Sequence, residues 1–132
     1  MREIIYTIFI AFFLISCTMS RIPVKISPMI EYNWLSKSVM SMKITNSSNR
    51  DICVLDYLFP SPEIRSNIFL IEDRLGYHAE YIGEEAVIIG GDMTVISPKK
   101  SVNLVIDLAG SYDLSKMPPP LTVRYNAPFE AC

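Results

Sequence analysis

The sequence predicts an all-β protein, an immunoglobulin-like antiparallel β-sandwich of about seven strands, on three observations. From Val24 onward, short apolar stretches alternate with clusters of turn-forming residues. No long segment keeps the apolar period of an amphipathic helix. The predicted strands follow one another at regular spacing within one small domain, and two packed antiparallel sheets are the simplest way to bury their apolar faces. A small β-barrel is the alternative architecture.

The first two predicted strands are separated by a polar turn. In "SVMSMKIT", one face carries Met40, Met42 and Ile44, while Ser41, Lys43 and Thr45 face the other way. The segment Asn46–Asp51 then predicts a turn, because Asn and Ser side chains hydrogen-bond to nearby backbone. The mostly apolar "ICVLDYLF" has strand length and ends at Pro60, where proline removes a backbone donor.

The remaining predicted strands form two hairpins and a closing strand. "NIFLIED" and "YHAEYIG" flank Arg74-Leu75-Gly76, and "DMTVIS" and "SVNLVIDLA" flank Pro98-Lys99-Lys100. In "SVNLVIDLA", Val102, Leu104, Ile106 and Leu108 share one face. After Pro118-Pro119-Pro120, "LTVRYNA" places Leu121, Val123 and Tyr125 on one face.

The N-terminal segment resembles the signal peptide of bacterial lipoproteins. Residues 4–15 contain no charged side chain, and as a helix they would measure about 18 Å, well short of the roughly 30 Å of a bilayer core. A signal-peptide core has about this length. The sequence Leu14-Ile15-Ser16-Cys17 then resembles a lipobox, which implies cleavage before Cys17 and lipid on that residue. A buried N-terminal strand or an uncleaved anchor is the alternative.

This resemblance divides the chain and assigns a compartment. It predicts a signal peptide at 1–16, a lipidated cysteine with a tether at 17–23, and a β-sandwich domain at 24–132. Membrane attachment would occur through lipid on Cys17, and several acyl chains give stable anchoring. Thr18 follows the cysteine where an aspartate would otherwise retain a Gram-negative lipoprotein at the inner membrane. The expected location is therefore the outer membrane, facing the periplasm.

The charge distribution excludes one class of partner. The formal net charge is −2, and Lys99-Lys100 is the only adjacent pair of basic residues. Nucleic-acid binding requires a clustered basic face, so we expect no nucleic-acid partner.

The cysteine count predicts one disulfide. With Cys17 acylated, Cys53 and Cys132 remain as an even pair outside the reducing cytosol. Their bond would close a loop of roughly 80 residues and contribute about 4 kcal/mol on the chain-entropy account. The alternative is a buried, unpaired Cys53 and a frayed C-terminal Cys132.

The order of strands and turns in the mature chain resembles a known β-sandwich. "KITNSSNRDICVL", "YIG" at 81–83, the proline turn before "SVNLVIDLA" and "DLAGSYDLS" are similar to the domain preceding the catalytic domain of deuterolysin-like, peptidyl-lysine-type metallopeptidases. Those enzymes bind zinc through a His-Glu-x-x-His motif on a helix of a separate domain, and this sequence, with His78 as its single histidine, contains no such motif. No catalytic or metal-binding residue is carried over, and no cofactor is expected.

Each candidate for chemistry also has a structural interpretation. His78 is the single histidine and lies on a predicted strand, and the neighbouring carboxylates of Glu72-Asp73 and Glu84-Glu85 fit solvated charges. Ile89-Gly90-Gly91-Asp92 lacks the lysine of a phosphate loop. Asn46-Ser47-Ser48 matches a glycosylation sequon without an expected role in such a lipoprotein. Tyr112 with Asp113 is expected to lock a loop, as a tyrosine corner does, and Trp34 to cover the core or anchor a partner.

The expected function is that of a non-enzymatic, lipid-anchored envelope module that binds a protein partner. Loops Phe59–Asn67, Gly83–Asp92 and Lys116–Pro120 are the candidate binding loops, because they carry Pro or Gly and are not needed for the core. An exposed edge strand is the other recognition element considered. The family resemblance implies, as one version, that the partner is a protease. The alternatives are a structural envelope lipoprotein without a discrete ligand and a small hydrolase with an unrecognised site.

Overall fold

The computed structural model describes residues 24–85 and 91–132, which form ten antiparallel strands and one 3₁₀ turn at Asp56–Leu58. The predicted signal peptide, Cys17 and the tether lie outside these residues. Within the described part, no helix is long and apolar enough to cross a membrane. The strands are β1 (Met29–Trp34), β2 (Val39–Thr45), β3 (Ile52–Leu55), β4 (Phe69–Glu72), β5 (Glu80–Tyr81), β6 (Met93–Ile96), β7 (Ser101–Asp107), β8 (Tyr112–Asp113), β9 (Thr122–Tyr125) and β10 (Glu130–Ala131).

The predicted fold class is confirmed. Two three-stranded antiparallel sheets have the orders β1-β2-β7 and β10-β3-β6, and two pairs, β4-β9 and β5-β8, complete the described strands. Seven of these strands have four or more residues, while β5, β8 and β10 have two each. The seven predicted strands correspond to six of these longer strands and to the short β5, whereas β1 was not among them.

The two three-stranded sheets contribute side chains to one apolar core. Met40, Met42 and Ile44 of β2 are each at most 1% exposed, as their alternation predicts. Ile52 and Val54 of β3 are buried in the same cluster, which also includes side chains of four more strands: Phe69, Ile71, Ile96, Ile106 and Tyr125. Burying apolar surface from both sheets is the main stabilising contribution to such a fold.

The predicted disulfide is present in the structure. Cys53 and Cys132 are bonded with a Cα–Cα distance of 5.3 Å, and they join β3 to the residue that follows β10. Cys132 is not a frayed end, because its backbone N–H donates to the Asp51 carbonyl at 3.2 Å.

The prediction of a hairpin around Pro98-Lys99-Lys100 is wrong. β6 pairs with β3 and β7 pairs with β2, so this turn carries the chain from one sheet to the other. Its backbone is held by the Asn46 turn: the Lys99 N–H donates to the Asn46 carbonyl, and the Asn46 N–H donates to the Lys100 carbonyl, both at 2.9 Å. Lys99 has a φ of 61°, a left-handed conformation that redirects the chain here.

The hairpin predicted around Arg74-Leu75-Gly76 exists only near its turn. The Ala79 N–H donates to the Ile71 carbonyl at 2.9 Å, and Glu72 and His78 form a single antiparallel bridge. Gly76 has a φ of 87°, which glycine adopts without a side-chain clash. Beyond the bridge the segments separate, because β4 pairs with β9 and β5 pairs with β8.

β1 was not predicted, although its sequence alternates. Ile30, Tyr32 and Trp34 are partly buried against the core, while Glu31 and Asn33 face solvent. All six residues of β1 pair with β2. As an edge strand with no fully buried residue, β1 has a weaker apolar contrast than β2, and this explains why its pattern is harder to recognise.

Candidate functional site

A cleft of about 800 Å³ lies where two of the predicted binding loops meet the end of a strand. Its walls come from the loop after the 3₁₀ turn (60 and 62–65), from 83–85, and from 105–107 with 110–111. We call it the acidic cleft. It uses parts of the predicted loops Phe59–Asn67 and Gly83–Asp92; residues 86–90 of the second lie outside the described part of the chain.

The edge of β7 borders this cleft. Val105, Ile106 and Asp107 all line it, although side chains of consecutive strand residues point to opposite faces. Val105 is 71% exposed and Ile106 is buried, so their side chains point in different directions. The part of the three residues that borders the cleft in common is therefore the strand backbone. β7 is also the last strand of its sheet, and among residues 24–85 and 91–132 its backbone ladder is with β2 alone. An edge of this kind can hydrogen-bond to an added strand.

Acidic side chains predominate around the cleft. Glu63, Glu84, Glu85 and Asp107 are exposed at its walls, against one basic lining residue, Arg65. The Arg65 guanidinium donates to the Asp56 carbonyl at 2.9 Å, which ties it to the base of its own loop. Clustered charge of one sign in a cleft raises the local concentration of ligands of opposite charge. The geometry therefore favours a basic ligand with an extended backbone.

Tyr112 connects the two loops that form the cleft walls. Its hydroxyl accepts hydrogen bonds from the backbone N–H groups of Ile68 and Phe69, at 3.1 and 2.8 Å, where the first loop enters β4. The same hydroxyl lies 3.2 Å from Asn67 Oδ1, to which it donates. The side chain is 1% exposed. The interpretation that Tyr112 locks a loop is confirmed, with a loop more than 40 residues earlier in the chain as the partner.

Asp113, the neighbour of Tyr112, has a local role of its own. Its Oδ1 accepts hydrogen bonds from the hydroxyl and the backbone N–H of Ser115. These bonds, the hydroxyl bond first, hold the pKa of the Asp113 carboxyl below its usual value. The carboxylate therefore stabilises the turn after β8.

Tyr81 links Tyr112 to the second loop. The two rings meet edge to face with centroids 5.3 Å apart, and the Tyr81 hydroxyl donates to the Glu84 carbonyl at 3.0 Å. A Cβ on Gly83 would lie 2.7 Å from the Tyr81 hydroxyl oxygen, so glycine permits this close approach. Burial, followed by the negative charge of Glu85, raises the pKa of Tyr81. The Tyr81 hydroxyl thus holds the backbone of Glu84 beside the cleft.

The first loop is held at its start by the 3₁₀ turn. The Tyr125 hydroxyl donates to the Leu58 carbonyl, and the Thr94 hydroxyl donates to the Asp56 carboxylate. The Asp56 N–H also donates to the Asp92 carbonyl at 2.9 Å. Sequence reasoning selected the loop for its prolines but missed these supports, because they join residues 36 or more positions apart.

The third predicted loop forms a separate, apolar groove. Trp34, Leu114, Met117 and Leu121 line a cavity of about 220 Å³ together with Pro119 and Pro120. Trp34 is partly buried against the core, which agrees with its interpretation as a core cover.

The other candidate residues have structural roles or stand apart from the cleft. His78 Nε2 lies 3.7 Å from Glu72 Oε2 in the short hairpin, and both side chains are well exposed. The interpretation of Asp73 as a solvated charge is wrong: its residue is 5% exposed, and it accepts hydrogen bonds from the Leu75 and Tyr77 amides at 2.8 and 3.0 Å, which fixes the same turn. Gly91 and Asp92 precede β6, whereas Ile89 and Gly90 lie outside the described residues. Across the described ranges, no three His, Cys, Asp or Glu side chains are grouped to hold a metal ion.

Asn46, the first residue of the sequon, is fully buried. Its Nδ2 donates to the carbonyls of Arg50 and Ile96, at 2.7 and 2.9 Å. Its Oδ1 accepts from the N–H and the hydroxyl of Ser48, at 3.0 and 2.7 Å. Both hydrogens of the amide nitrogen are therefore used inside the protein, and Asn46 acts as a structural link between β2, its turn and β6.

No protein-family model matches the chain, and no curated protein matches it significantly.

Proposed function

We propose that this protein is a non-catalytic envelope lipoprotein, anchored through Cys17 at the periplasmic face of the outer membrane, whose domain binds an extended, basic segment of a partner protein. The binding site would be the acidic cleft. A segment lying there would add a strand to the edge of β7, with main-chain hydrogen bonds supplying affinity and side-chain contacts supplying specificity.

One observation carries the proposal: a strand edge that pairs with no other strand among residues 24–85 and 91–132 borders a cleft walled by four carboxylates. The edge supplies backbone donors and acceptors at Val105–Asp107, and Glu63, Glu84 and Glu85 face any chain that occupies the cleft. Lysine and arginine side chains of such a segment would therefore meet opposite charge. Electrostatic complementarity of this kind speeds association and discriminates against acidic partners.

In one version of this proposal the partner is a protease, as the resemblance to the sandwich domain of deuterolysin-like peptidases implies. In that version the domain docks on a protease as an inhibitor or an assisting subunit. This identification rests on analogy of fold, and the cleft chemistry requires only a basic, extended segment.

Charge reversal in the cleft tests the proposal. Wild-type protein, Glu84→Lys and Glu31→Lys are compared by crosslinking in intact envelopes followed by affinity purification. Glu31 is an exposed glutamate on β1, outside the cleft lining, and serves as the matched control. We expect a stoichiometric crosslinked protein with wild type and Glu31→Lys, and its loss with Glu84→Lys. Equal capture by all three proteins would contradict the proposed site, and no capture by any would favour a structural lipoprotein.

The anchor is tested separately. Labelling with palmitate should mark the wild-type protein and not Cys17→Ala, and continued labelling of the variant would refute the anchor. The hydrolase alternative is tested with His78→Ala: if that variant abolishes a hydrolytic activity of the purified protein, the non-catalytic proposal is wrong.

A further inference from the structure

We infer that the outer face of the β10-β3-β6 sheet is a lipid-contacting surface, which lies against the membrane that holds the anchor. This inference rests on the proposed anchor at Cys17 and goes beyond the cleft, since it assigns a second surface and the orientation of the domain.

The outer face of the part of this sheet formed by β3 and β6 is apolar. Ile52, Val54 and Ile96 enter the core, so the alternate residues of β3 and β6 point outward. The register pairs Cys53 with Val95 and Leu55 with Met93, which places the four side chains together. Val95 is 53% exposed and Met93 is 40% exposed. We call this group the apolar sheet face.

The apolar sheet face continues toward the C-terminus of the chain. The disulfide to Cys132 covers Cys53, and a cavity of about 240 Å³ lies between Leu55 and Pro128. Charged residues adjoin it on the β10 side: Glu130 is paired with Cys53 and shares its face, Lys25 bridges to Glu130 beyond it, and Asp51 precedes β3. An apolar centre with charges at the rim is the distribution of an interfacial surface, where a lysine can reach the lipid phosphates.

The position of the tether identifies the occupant. Val24, the first described residue, accepts a hydrogen bond from the Ala131 N–H at 3.1 Å, so the tether joins the domain beside β10. From position 17 to position 24 there are seven Cα-to-Cα steps, and a fully extended tether therefore spans at most about 25 Å. A domain of about 110 residues has a radius of gyration of about 13 Å, so the membrane lies within reach of this sheet.

The tether also explains why weak contacts suffice. Covalent attachment makes contact between the domain and the bilayer an intramolecular event with a high effective concentration. A few exposed apolar side chains next to the tether can then hold the sheet at the lipid surface. The β1-β2-β7 sheet, whose edge borders the acidic cleft, forms the other layer of the sandwich and would face the periplasm.

Tryptophan scanning tests this orientation in the acylated full-length protein. Trp34 of β1 is the single native tryptophan, and Val95→Trp and Val105→Trp add one to two exposed valines on different sheets. Each protein is reconstituted in vesicles of phosphatidylethanolamine and phosphatidylglycerol with and without brominated acyl chains. For each protein, the fraction of tryptophan emission lost in brominated vesicles is compared. We expect this quenched fraction to be larger for Val95→Trp than for wild type, and no larger for Val105→Trp than for wild type.

The outcomes separate this inference from the anchor. Mass spectrometry of the purified protein first establishes whether Cys17 is acylated; an unmodified Cys17 refutes the anchor and, with it, the orientation. Acylated protein with equal quenching of Val95→Trp and Val105→Trp overturns the lipid-contacting surface alone. Unquenched Val95→Trp with a concentration-dependent blue shift would show a second copy of the chain on this face, which also overturns it.

Hydrogen exchange gives a measurement without substitution. In the wild-type lipidated protein, transfer from detergent to vesicles should slow exchange in peptides covering 93–96 and leave 101–107 unchanged. The reverse pattern would contradict the orientation.

Discussion

The acidic cleft and the apolar sheet face are both exposed surfaces of one small sandwich, but they are built differently. The cleft is made by loops whose positions depend on buried tyrosine hydroxyls, chiefly that of Tyr112. The apolar sheet face is made by regular strands that are crosslinked through Cys53 and Cys132. The first surface carries carboxylates and a strand edge with which no described strand pairs, and the second carries Val95 and Met93.

This difference separates the sources of stability from the sources of specificity. Strand pairing and the disulfide hold the apolar sheet face whatever its exposed side chains are. The cleft, in contrast, keeps its shape through a few long-range hydrogen bonds, so single substitutions beneath it can change binding with a limited loss of stability. Removing the disulfide and removing the long-range hydrogen bonds in separate variants therefore tests this difference between the two surfaces.

Removal of the disulfide should have the largest effect on stability. The double variant Cys53→Ala with Cys132→Ala releases a crosslink between residues 79 positions apart, and the free energy of unfolding should fall by about 4 kcal/mol. Chemical denaturation measures this change. Adding a reductant to the wild-type protein is the control and should give a similar loss. A loss below about 1 kcal/mol would show that the β3–β10 region is held by its strands alone.

Substitution of Asn46 should have the next largest effect. Asn46→Ala deletes a buried amide with four hydrogen bonds and leaves the Ile96 carbonyl without this donor, which should cost about 3 kcal/mol. The matched control is Ser47→Ala, an exposed neighbour, which should change stability by less than about 0.5 kcal/mol. Equal midpoints in urea for Asn46→Ala and wild type would contradict the role of Asn46 as a link between the sheets.

Tyr112→Phe should affect the cleft more than the whole fold. It removes the acceptor of the Ile68 and Phe69 amides while keeping the ring, so we expect a loss of about 1–2 kcal/mol. Partner capture should fall at the same time, because the loop 59–67 loses its tie to Tyr112. Tyr77→Phe, at an exposed position in the 73–77 turn, is the control and should leave both measurements unchanged. Unchanged partner capture by Tyr112→Phe would show that partner binding does not depend on the hydrogen bonds of the Tyr112 hydroxyl.

Alkaline pH should weaken the same tyrosine-dependent contacts. Burial is the main cause that raises the pKa of Tyr32, Tyr112 and Tyr125 above the ordinary tyrosine value of 10.0. The folded protein therefore retains protons that the unfolded chain has lost, and stability falls as the pH rises above about 10. Unfolding in urea between pH 8 and about pH 12 measures this dependence. Tyr112→Phe should show a smaller decline than wild type, and an equal decline would exclude Tyr112 as a contributor.

The strand patterns were predictable where a strand has one fully buried face. Met40, Met42 and Ile44 alternate with polar residues because β2 is the central strand of its sheet, and the sequence shows this contrast directly. β1 was missed because its inner residues are only partly buried. The Lys99 turn was misassigned because turn residues do not specify which sheet the next strand joins, and here the hydrogen bonds to Asn46 do.

The candidate site was predictable only in part. Prolines and glycines identified two of the loops, and cysteine counting identified the disulfide pair. The cleft itself arises because Tyr112 and Tyr81 bring those loops to the edge of β7, and contacts across 30 or more residues leave no local pattern in a single sequence. The apolar sheet face was likewise hidden, since Val95 and Met93 resemble core residues until the register of β6 is known.

Site-specific photocrosslinking in intact envelopes tests the central claim most directly. A benzophenone amino acid replaces either Val95 or Val105, the two exposed valines on different sheets. The account predicts that the Val105 position crosslinks to a protein and the Val95 position to lipid. Protein adducts from Val95 with none from Val105 would contradict it.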